Sequence, residues 1–427
     1  MTVTAIVGAN WGDEGKGKMT DVLAEGADYV VRFQGGSNAG HTILNRHGKF
    51  ALRMLPSGVF HPSATNVIGP GTALDVKVLL QELSMLEERG VPAPRLRVSD
   101  RAQLVLPAHR LLDELEEERL GEGSFGSTKR GIAPFYADKY AKIGVQAADL
   151  FDEPRLRSRI ERQLESKNVL FRYLYGREPL HADDAADALL TQAERLRPFV
   201  CDASELLYDA VRRGETVLLE GQLGALRDPD HGIYPYSTSS SPLAGFASVG
   251  AGLPAGTIAN VLAVTKAYSS CVGAGPFATE LNGSAAEELR RRGGDAGEYG
   301  AVTGRPRRVG WFDAVATRYG CRLQGATEVA LTNLDALGYL ERIPVCTAYR
   351  LEDGRVVGRF PTTGALEKAA PVLETLDGWR SDVSDCRTFE ALPPAARRYV
   401  EFVESSIGVP VAYVSVGPRR EQLIRRR

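Results

Sequence analysis

The sequence predicts an α/β fold in which a large, P-loop-like and mainly parallel central β-sheet is flanked by helices, with helical insertions. Apolar strand-like runs alternate with helical patterns along the 427 residues, which is typical of such a fold. A glycine-rich turn joins the first strand pattern to the first helical pattern, and several later strand patterns end in glycine-rich or polar loops. Because ligands of open α/β sheets bind outside the carboxyl ends of the strands, we expect these loops to converge on one site.

The individual elements follow from the spacing of apolar residues. Short apolar runs predict buried strands over Val3–Val7, Tyr29–Phe33, Asn66–Ile68, Arg95–Val98, Val217–Leu219, Val261–Thr265, Val329–Thr332, Val345–Tyr349 and Val411–Ser415. Apolar residues at three- and four-residue steps predict helices over Asp75–Glu88, Ala108–Arg119 and Ala185–Arg213. Since no linker divides the chain, we expect one domain over residues 1–427, with a mostly helical subdomain around residues 100–213.

Charge, apolar runs and cysteines exclude several classes of protein. The net charge of −2 argues against a general nucleic-acid binder, whose affinity needs a basic surface. No apolar run approaches the ~20 residues of a membrane span, and the chain starts on a strand pattern without a signal segment. The five cysteines include no Cys-x-x-Cys pair and predict reduced thiols. We therefore expect a cytoplasmic enzyme that binds neither nucleic acid nor membrane.

The loop Gly12–Lys18 is the strongest candidate for chemistry. Its glycines let backbone N–H groups approach phosphate oxygens, and the helix that follows adds positive potential at its N-terminus. Met19 stands where a P-loop carries the Ser or Thr that holds Mg²⁺, which disfavours a generic P-loop NTPase. The loop instead contains Asp13 and Glu14. A carboxylate among phosphate-binding groups is costly unless it binds a metal or moves a proton.

A second polar loop, Gln34–Thr42, follows the next predicted strand. It carries Asn38 and His41 among small residues. A structural loop capped by a histidine would show the same pattern. Its place one strand after the acidic loop favours a functional role, with His41 as general acid or phosphate-stabilising donor, because imidazole titrates near neutral pH.

Further loops carry groups that suit anions and bases. Gly126–Gly131 holds two cations and two hydroxyls, and Thr303–Arg308 holds three arginines, which bind carboxylate or phosphate in bidentate fashion. Both could also be solvated surface charge, although a binding site is favoured for each. Asp335 ends a strand and can accept the N1–H and N2–H of guanine, although a strand-ending Asp is often a turn cap. The aromatics and hydroxyls of His231–Ser240 can frame a nucleotide or belong to the core.

Together these motifs resemble the adenylosuccinate synthetase family over nearly the whole chain. The matching segments, in the family's order and spacing, are Trp11–Lys18, Gln34–Thr42, Ser127–Pro134, Asp228–Ser240, Lys266–Leu281, Thr303–Asp313 and Ser415–Pro418. The family joins inosine monophosphate (IMP) to L-aspartate and hydrolyses GTP to GDP and phosphate with Mg²⁺. The resemblance implies a C–N ligase of purine biosynthesis that acts on small molecules as a homodimer.

The resemblance also implies a role for each matching residue. Asp13 would take the N1 proton of the purine so that O6 attacks the γ-phosphate of GTP, and His41 would stabilise this transfer. Lys16 would hold the phosphates as the third catalytic residue. Residues implied to bind the acceptor nucleotide are Asn38, Thr128, Lys142, Leu223, Thr238 and Arg305. Those implied to bind GTP are Gly12, Gly15, Lys16, Gly17, Gly40, Thr42, Arg307, Asn333, Asp335, Ser415 and Gly417. Those implied for L-aspartate are Val302, Thr303, Arg305 and Arg307, and those for Mg²⁺ are Asp13 and Gly40. The stretch Thr42–Arg53 would close over the ligands.

Six positions depart from the family's pattern. Leu223 replaces a glutamine that contacts the nucleotide, and Arg227 replaces a leucine that faces the purine. The other departures are Lys142 and Cys271 for arginines, Val302 for a hydroxyl residue and Asn333 for a lysine. Leucine in place of the glutamine removes a hydrogen bond, and a buried polar group left unpaired costs about 1–3 kcal/mol. The altered pocket therefore leaves an alternative, a paralogue that uses a modified purine nucleotide or another amine donor. The intact catalytic set disfavours a silent nucleotide-binding regulator.

Overall fold

The computed structural model describes residues 3–294, 297–300, 304 and 306–426. Its strands are β1 (Val3–Gly8), β2 (Tyr29–Arg32), β3 (His41–Asn45), β4 (Gly48–Leu52), β5 (Thr65–Ile68), β6 (Ala73–Leu74), β7 (Arg95–Ser99), β8 (Gln103–Leu104), β9 (Val200–Cys201), β10 (Val217–Glu220), β11 (Asn260–Lys266), β12 (Ser269–Cys271), β13 (Arg308–Gly310), β14 (Phe312–Asp313), β15 (Glu328–Thr332), β16 (Arg342–Arg350), β17 (Val356–Val357), β18 (Ala370–Asp377), β19 (Val411–Ser415) and β20 (Leu423–Arg425). Its α-helices are α1 (Lys16–Leu23), α2 (Val76–Glu88), α3 (Pro107–Leu120), α4 (Ile132–Ala141), α5 (Glu153–Tyr173), α6 (Ala182–Leu196), α7 (Ala203–Arg212), α8 (Ala244–Ala251), α9 (Gly283–Arg292), α10 (Ala314–Gln324), α11 (Thr363–Glu367) and α12 (Pro394–Ile407).

A ten-stranded sheet forms the centre of the molecule, in the order β20-β19-β15-β11-β1-β10-β2-β5-β7-β9. All neighbours pair in parallel except β19 and β20. The predicted fold class is therefore confirmed. The predicted strand Val345–Tyr349 lies instead in β16, which pairs with β14, β17 and β18 in a smaller sheet.

The strand order places the polar loops together. Strands β1, β2, β10, β11, β15 and β19 run in parallel, so their carboxyl ends share one edge of the sheet. The loops that leave these ends are the acidic glycine loop, the Gln34–Thr42 loop and the segments that begin at residues 221, 267, 333 and 416. The convergence that the sequence predicted is present at this edge.

The predicted helix Ala185–Arg213 is wrong as a single element. The chain forms α6, breaks at Pro198, adds β9 to the edge of the sheet beside β7, and then starts α7. Proline lacks the N–H that a continuing helix needs. The Asp202 carboxylate accepts hydrogen bonds from the backbone N–H groups of Ser204 and Glu205 and so begins the new helix. The predicted helices over Asp75–Glu88 and Ala108–Arg119 match α2 and α3 within a residue or two.

Apolar side chains bury the two ends of the sheet separately. One large cluster joins α2, α3, α5 and α6 to the end that holds β5 and β7. Another joins α10 and α12 to the end that holds β15 and β19. The division into a main body and a helical subdomain around residues 100–213 stays a prediction. Within the described ranges, no helix has both the length and the apolar character that crossing a bilayer requires.

Helix α10 packs directly on the start of the acidic loop. Gln324 donates from Nε2 to the carbonyl of Gly8 at 2.9 Å, and Asn10 donates from Nδ2 to Thr317 Oγ1 at 2.9 Å. A Cβ added to Gly320 would lie 1.7 Å from the carbonyl oxygen of Ala9. A side chain at position 320 therefore cannot fit without moving the backbone that leads into the site.

We expect Gly320→Ala to lower the free energy of unfolding by about 3 kcal/mol, at the upper end of the usual cost of overpacking. Gly364→Ala in α11 is the matched control, because nothing lies within 4 Å of its added Cβ. That change should leave stability equal or raise it by up to about 1 kcal/mol. Urea unfolding measures both, and equal midpoints for the two variants would contradict the packing argument.

Candidate functional site

A cleft of about 520 Å³ opens at the carboxyl edge of the sheet. It collects many of the residues that the sequence singled out. Those that line it are Asp13, Gly15, Lys16, Gly17, Gly40, His41, Thr42, Leu223, Arg307, Asn333, Asp335, Ser415 and Gly417. Residues from the start, middle and end of the chain thus meet in one place.

The two carboxylates of the acidic loop have different surroundings. Glu14 is buried, and its Oε1 accepts from the backbone N–H groups of Asn10 at 3.1 Å and Gly12 at 2.8 Å. Its Oε2 lies 2.5 Å from the Lys16 ammonium, which is equally buried. The Asp13 side chain keeps 30% exposure and faces the cleft. Glu14 therefore shapes the loop, and Asp13 is the carboxylate available for chemistry.

Met19, at the P-loop serine or threonine position, is fully buried in the apolar cluster beneath the sheet. Its side chain cannot reach a metal ion in the cleft. The sequence argument against a generic P-loop site agrees with this placement.

His41 stands at the start of β3 with one ring nitrogen engaged. Its Nδ1 hydrogen-bonds to the Glu220 carboxylate, which also accepts from Ser57 through Oγ at 2.5 Å and through the backbone N–H at 2.8 Å. His41 Nε2 is buried and has no partner among the described residues. Burial, followed by the charge of Arg32, lowers the pKa of His41, against the opposing effect of Glu220. Nε2 is therefore the nitrogen left for a ligand.

A chain of buried charges leads from the cleft into the protein. The Nε of Arg307 lies 3.1 Å from Asp13 Oδ2, within ion-pair range but without hydrogen-bond alignment. Arg307 Nη1 donates to Glu298 at 2.8 Å, and Glu298 also accepts from the Lys266 ammonium at 2.5 Å and from the Tyr268 hydroxyl. Burial alone would raise the pKa of Glu298, but Lys266 and Arg307 lower it to about 2.

The far end of the cleft carries a second carboxylate with little support. Asp335 Oδ1 is buried without a partner, and burial raises the pKa of Asp335 to about 6. Lys18 donates from Nζ to Ser415 Oγ at 2.8 Å and to the carbonyl of Gly417 at 2.6 Å. Burial lowers the pKa of Lys18 to about 8, although the charge of Asp335 opposes this. A base with two N–H donors would satisfy the free carboxylate.

Backbone strain concentrates in the same loops. Six described non-glycine residues have a positive φ. Five of them, all except Arg380, were named by the sequence analysis or lie in a loop that it named: Asp13, Lys129, Lys142, Leu223 and Asn333. This conformation costs roughly 1–2 kcal/mol for residues with a Cβ. Surrounding contacts must impose it, which is common at ligand-binding sites.

Four implied contacts of the acceptor nucleotide do not line the cleft, and neither does Gly12, which is implied for GTP. Asn38 accepts from the backbone N–H of Gly36, and Thr128 and Lys142 are exposed on either side of α4. The backbone N–H of Thr238 donates to the carbonyl of Arg227 at 2.8 Å. Val302, Thr303 and Arg305 lie outside the described residues.

Arg227 departs from its expected surroundings. Its side chain is buried, does not line the cleft, and lies against the backbone of residues 272–274 with Nη2 3.0 Å from Cys271 Sγ. The terminal N–H groups of Arg227 are therefore directed at the protein's own carbonyls and at Cys271. Leu223, by contrast, lines the cleft beside Gly12.

Sequence reasoning missed three charged residues of the site. Glu220 and Lys266 each end a buried strand, the same signal that drew attention to Asp335, and this signal could have found them. Glu298 sits in an irregular segment with no such pattern. Its role appears only when residues 266, 298 and 307 are brought together.

Known proteins resemble the chain over its full length. Residues 5–424 match the family model described as adenylosuccinate synthetase. The chain is 49% identical over 426 residues to the adenylosuccinate synthetase of Acidothermus cellulolyticus, covering 100% of this chain and 99% of that relative. It is 47% identical over 425 residues to the adenylosuccinate synthetase of Heliobacterium modesticaldum, covering 99% of both.

A solved structure agrees with the sequence relatives. The structure of fully ligated adenylosuccinate synthetase from Plasmodium falciparum superimposes with a TM-score of 0.93 at 33% identity, and the match covers 100% of both chains. Family model, relatives and structure thus point the same way, and they confirm the resemblance on which the sequence motifs converged. The chain belongs to the adenylosuccinate synthetase family, GTP-dependent ligases that join L-aspartate to IMP.

Proposed function

We propose that Asp13, His41 and Lys16 carry out this ligation through a 6-phosphoryl intermediate. Asp13 takes the proton from purine N1, O6 attacks the γ-phosphorus of GTP, and the bond to the β–γ bridging oxygen breaks to release GDP. The amino group of L-aspartate then attacks C6, loses its proton, and the C6–O6 bond breaks to release phosphate. The observation that carries the proposal is the shared cleft, in which the exposed Asp13 carboxylate and the unpartnered Nε2 of His41 both lie.

His41 supports phosphoryl transfer through its free nitrogen. The Glu220 carboxylate holds Nδ1–H, so Nε2 donates a hydrogen bond only when the ring is protonated. Burial lowers the pKa of His41 in the free protein. A phosphoryl group beside Nε2 brings negative charge that favours the protonated ring, and the positive ring then stabilises charge that develops on the transferring group.

Mg²⁺ fits the groups that face the cleft. The described residues offer no cluster of three His, Cys, Asp or Glu side chains, so a cage of protein ligands is absent there. Mg²⁺ commonly uses one or two protein oxygens together with substrate phosphates and waters. Asp13 and the carbonyl of Gly40 would hold the ion, and Gly40 has open space around it. Bound there, Mg²⁺ would neutralise charge on the phosphates.

Positive charge near Arg130 supports a site there for the acceptor's phosphate. Arg53 and Arg110 lie close enough to Arg130 to lower its pKa, after the larger effect of burial. Arg130 follows Thr128, whose hydroxyl, with Asn38 and Thr238, would contact the 5′-phosphate. An excess of guanidinium groups suits a dianionic ligand.

The finer assignments rest on family membership. A homodimer would bring Lys142 to the partner's nucleotide, and Lys142 is exposed at the C-terminus of α4. The aspartate loop would use Val302, Thr303 and Arg305 together with Arg307. A cytoplasmic location is supported by the five free cysteines. IMP is favoured over a modified acceptor because the relatives that match the chain over its full length are adenylosuccinate synthetases.

Phosphate release from GTP should require Mg²⁺, L-aspartate and IMP together and should yield adenylosuccinate by mass spectrometry. Asp13→Asn should lower kcat by 10²- to 10⁴-fold, roughly the contribution of a general base. Asp353→Asn, at an exposed carboxylate remote in sequence from these loops, is the control and should keep full activity. An Asp13→Asn variant that turns over normally would contradict the assignment of the base.

GTP binding should weaken as the pH falls below about 6. Asp335 must be ionised to accept two N–H donors from guanine, and its pKa in the free protein is raised to about 6. Proton competition then raises Kd by about tenfold for each further pH unit. Calorimetry between pH 5 and 7.5 measures the slope, and Asp335→Asn should lose this part of it. Equal slopes in the two proteins would argue against a guanine contact.

Glu298→Gln should destabilise the protein by about 3–5 kcal/mol at neutral pH, because it leaves Lys266 buried without its counter-charge. The lowered pKa of Glu298 means that its stabilisation is present above the unfolded value near 4.5 and is lost as the pH falls through about 2. Urea unfolding from pH 7 to 3 should show the two proteins converging. Glu352→Gln, whose exposed carboxylate pairs with Lys368, is the control and should change the midpoint little. A Glu298→Gln midpoint as high as that of the control would refute the argument.

A further inference from the structure

We propose that Arg227 is a positioning residue for the acceptor nucleotide. Its guanidinium connects two segments by hydrogen bonds: the loop that carries Thr238 and the turn that supports the Thr128 loop. This inference rests on the proposed function, in which these two hydroxyl residues contact the nucleotide.

The terminal nitrogens of the Arg227 guanidinium donate hydrogen bonds to acceptors of the protein itself. Nη1 donates to the carbonyls of Tyr236 at 2.5 Å and Ala274 at 3.3 Å. Nη2 donates to the carbonyl of Val272 at 2.5 Å and to Cys271 Sγ at 3.0 Å. The four terminal N–H groups of an arginine are thus engaged, which leaves none of them for a ligand.

Two arginines donate hydrogen bonds to the backbone of the turn at residues 272–275. Arg227 donates to the carbonyls of Val272 and Ala274. Arg308 donates from Nη1 to the carbonyls of Gly273 at 3.3 Å and Gly275 at 2.8 Å. Arg308 has a carboxylate partner in Glu280. Arg227 has no ion pair among the described residues, so backbone carbonyls and one thiol compensate its buried charge. Losing a single carbonyl would leave that charge poorly solvated, which makes the arrangement rigid.

Both nucleotide loops contact Arg227 or the turn that it holds. The backbone of Arg227 accepts from Thr238 N–H at 2.8 Å while its side chain holds the carbonyl of Tyr236, two residues earlier. The N–H of Ala274 donates to the carbonyl of Phe125 at 3.5 Å, and the Phe125 ring meets the Tyr236 ring edge-on with centroids 6.3 Å apart. Phe125 leads into the Gly126–Gly131 loop. Arg227 thereby sets the separation between Thr238 and Thr128.

An arginine suits this role at position 227 better than a lysine does. A guanidinium presents planar donors in fixed directions to several carbonyls, whereas a lysine ammonium offers three donors from one point. Two departures from the family's sequence, Arg227 and Cys271, are also in direct contact. They act as one feature, since the small thiol leaves room for the guanidinium and supplies one of its acceptors.

Arg227→Leu should raise KM for IMP at least tenfold, because Thr238 and Thr128 lose their fixed separation. It should leave KM for GTP within twofold, because the guanine end of the cleft contacts neither Arg227 nor the turn at residues 272–275. Arg227→Lys should recover part of the loss. Hydrogen exchange followed by mass spectrometry should show faster exchange at residues 125–131, 236–238 and 272–275. The control is Arg318→Leu, whose guanidinium also donates to carbonyls, those of Ser406 and Gly358, which belong to neither nucleotide loop.

The outcomes separate the two proposals. If the wild-type protein forms no product from IMP, the proposed function fails, and the exchange comparison still tests Arg227. If a folded Arg227→Leu or Arg227→Lys variant keeps the wild-type KM for IMP and wild-type exchange, the positioning role is overturned. A parallel rise in KM for IMP and GTP would also overturn it, since it would indicate general loosening of the fold. If the leucine variant does not fold, the lysine variant decides by the same measurements.

Discussion

The buried carboxylate of Glu14 is the interaction on which the site depends. It gathers the N–H groups of Asn10 and Gly12 and the ammonium of Lys16, and so fixes the loop between β1 and α1. A Cβ on Gly8 or on Gly224 would lie within 2.6 Å of this carboxylate. The first strand and the loop after β10 can approach it only because both positions are glycine. The Glu14 carboxylate thus requires glycine at positions 8 and 224, and the loop that it fixes leaves Asp13 facing the cleft.

Several buried charges around the cleft pair with an opposite charge, and this separates structural from reactive groups. Glu14 balances Lys16, Glu298 balances Lys266 and Arg307, and Glu220 orients His41. The groups left incomplete are those assigned to ligands: His41 Nε2 and Asp335 Oδ1. Such preorganisation is what phosphoryl transfer needs, because most of its catalysis comes from positioned charge.

The sequence was most informative where chemistry is local. Strand runs, glycine turns and the polar residues after them predicted the sheet edge and most of the residues that line the cleft. The failures share a cause: the deciding contact is long-range. Nothing near Arg227 indicates that carbonyls some 45 positions away would hold it, and Glu298 gains meaning only beside Lys266 and Arg307. The break at Pro198 and Asp202 was visible, but apolar periodicity outweighed it.

The strand order has a consequence for the order in which the molecule can be made. Strand β1 is synthesised before its partners β10 and β11, which begin at residues 217 and 260. The hydrogen bonds from Lys18 to Ser415 and Gly417 form later still, because these residues follow Lys18 by 397 and 399 positions. A chain that ends before residue 415 therefore lacks part of the cleft lining, even though the loop between β1 and α1 has already been made.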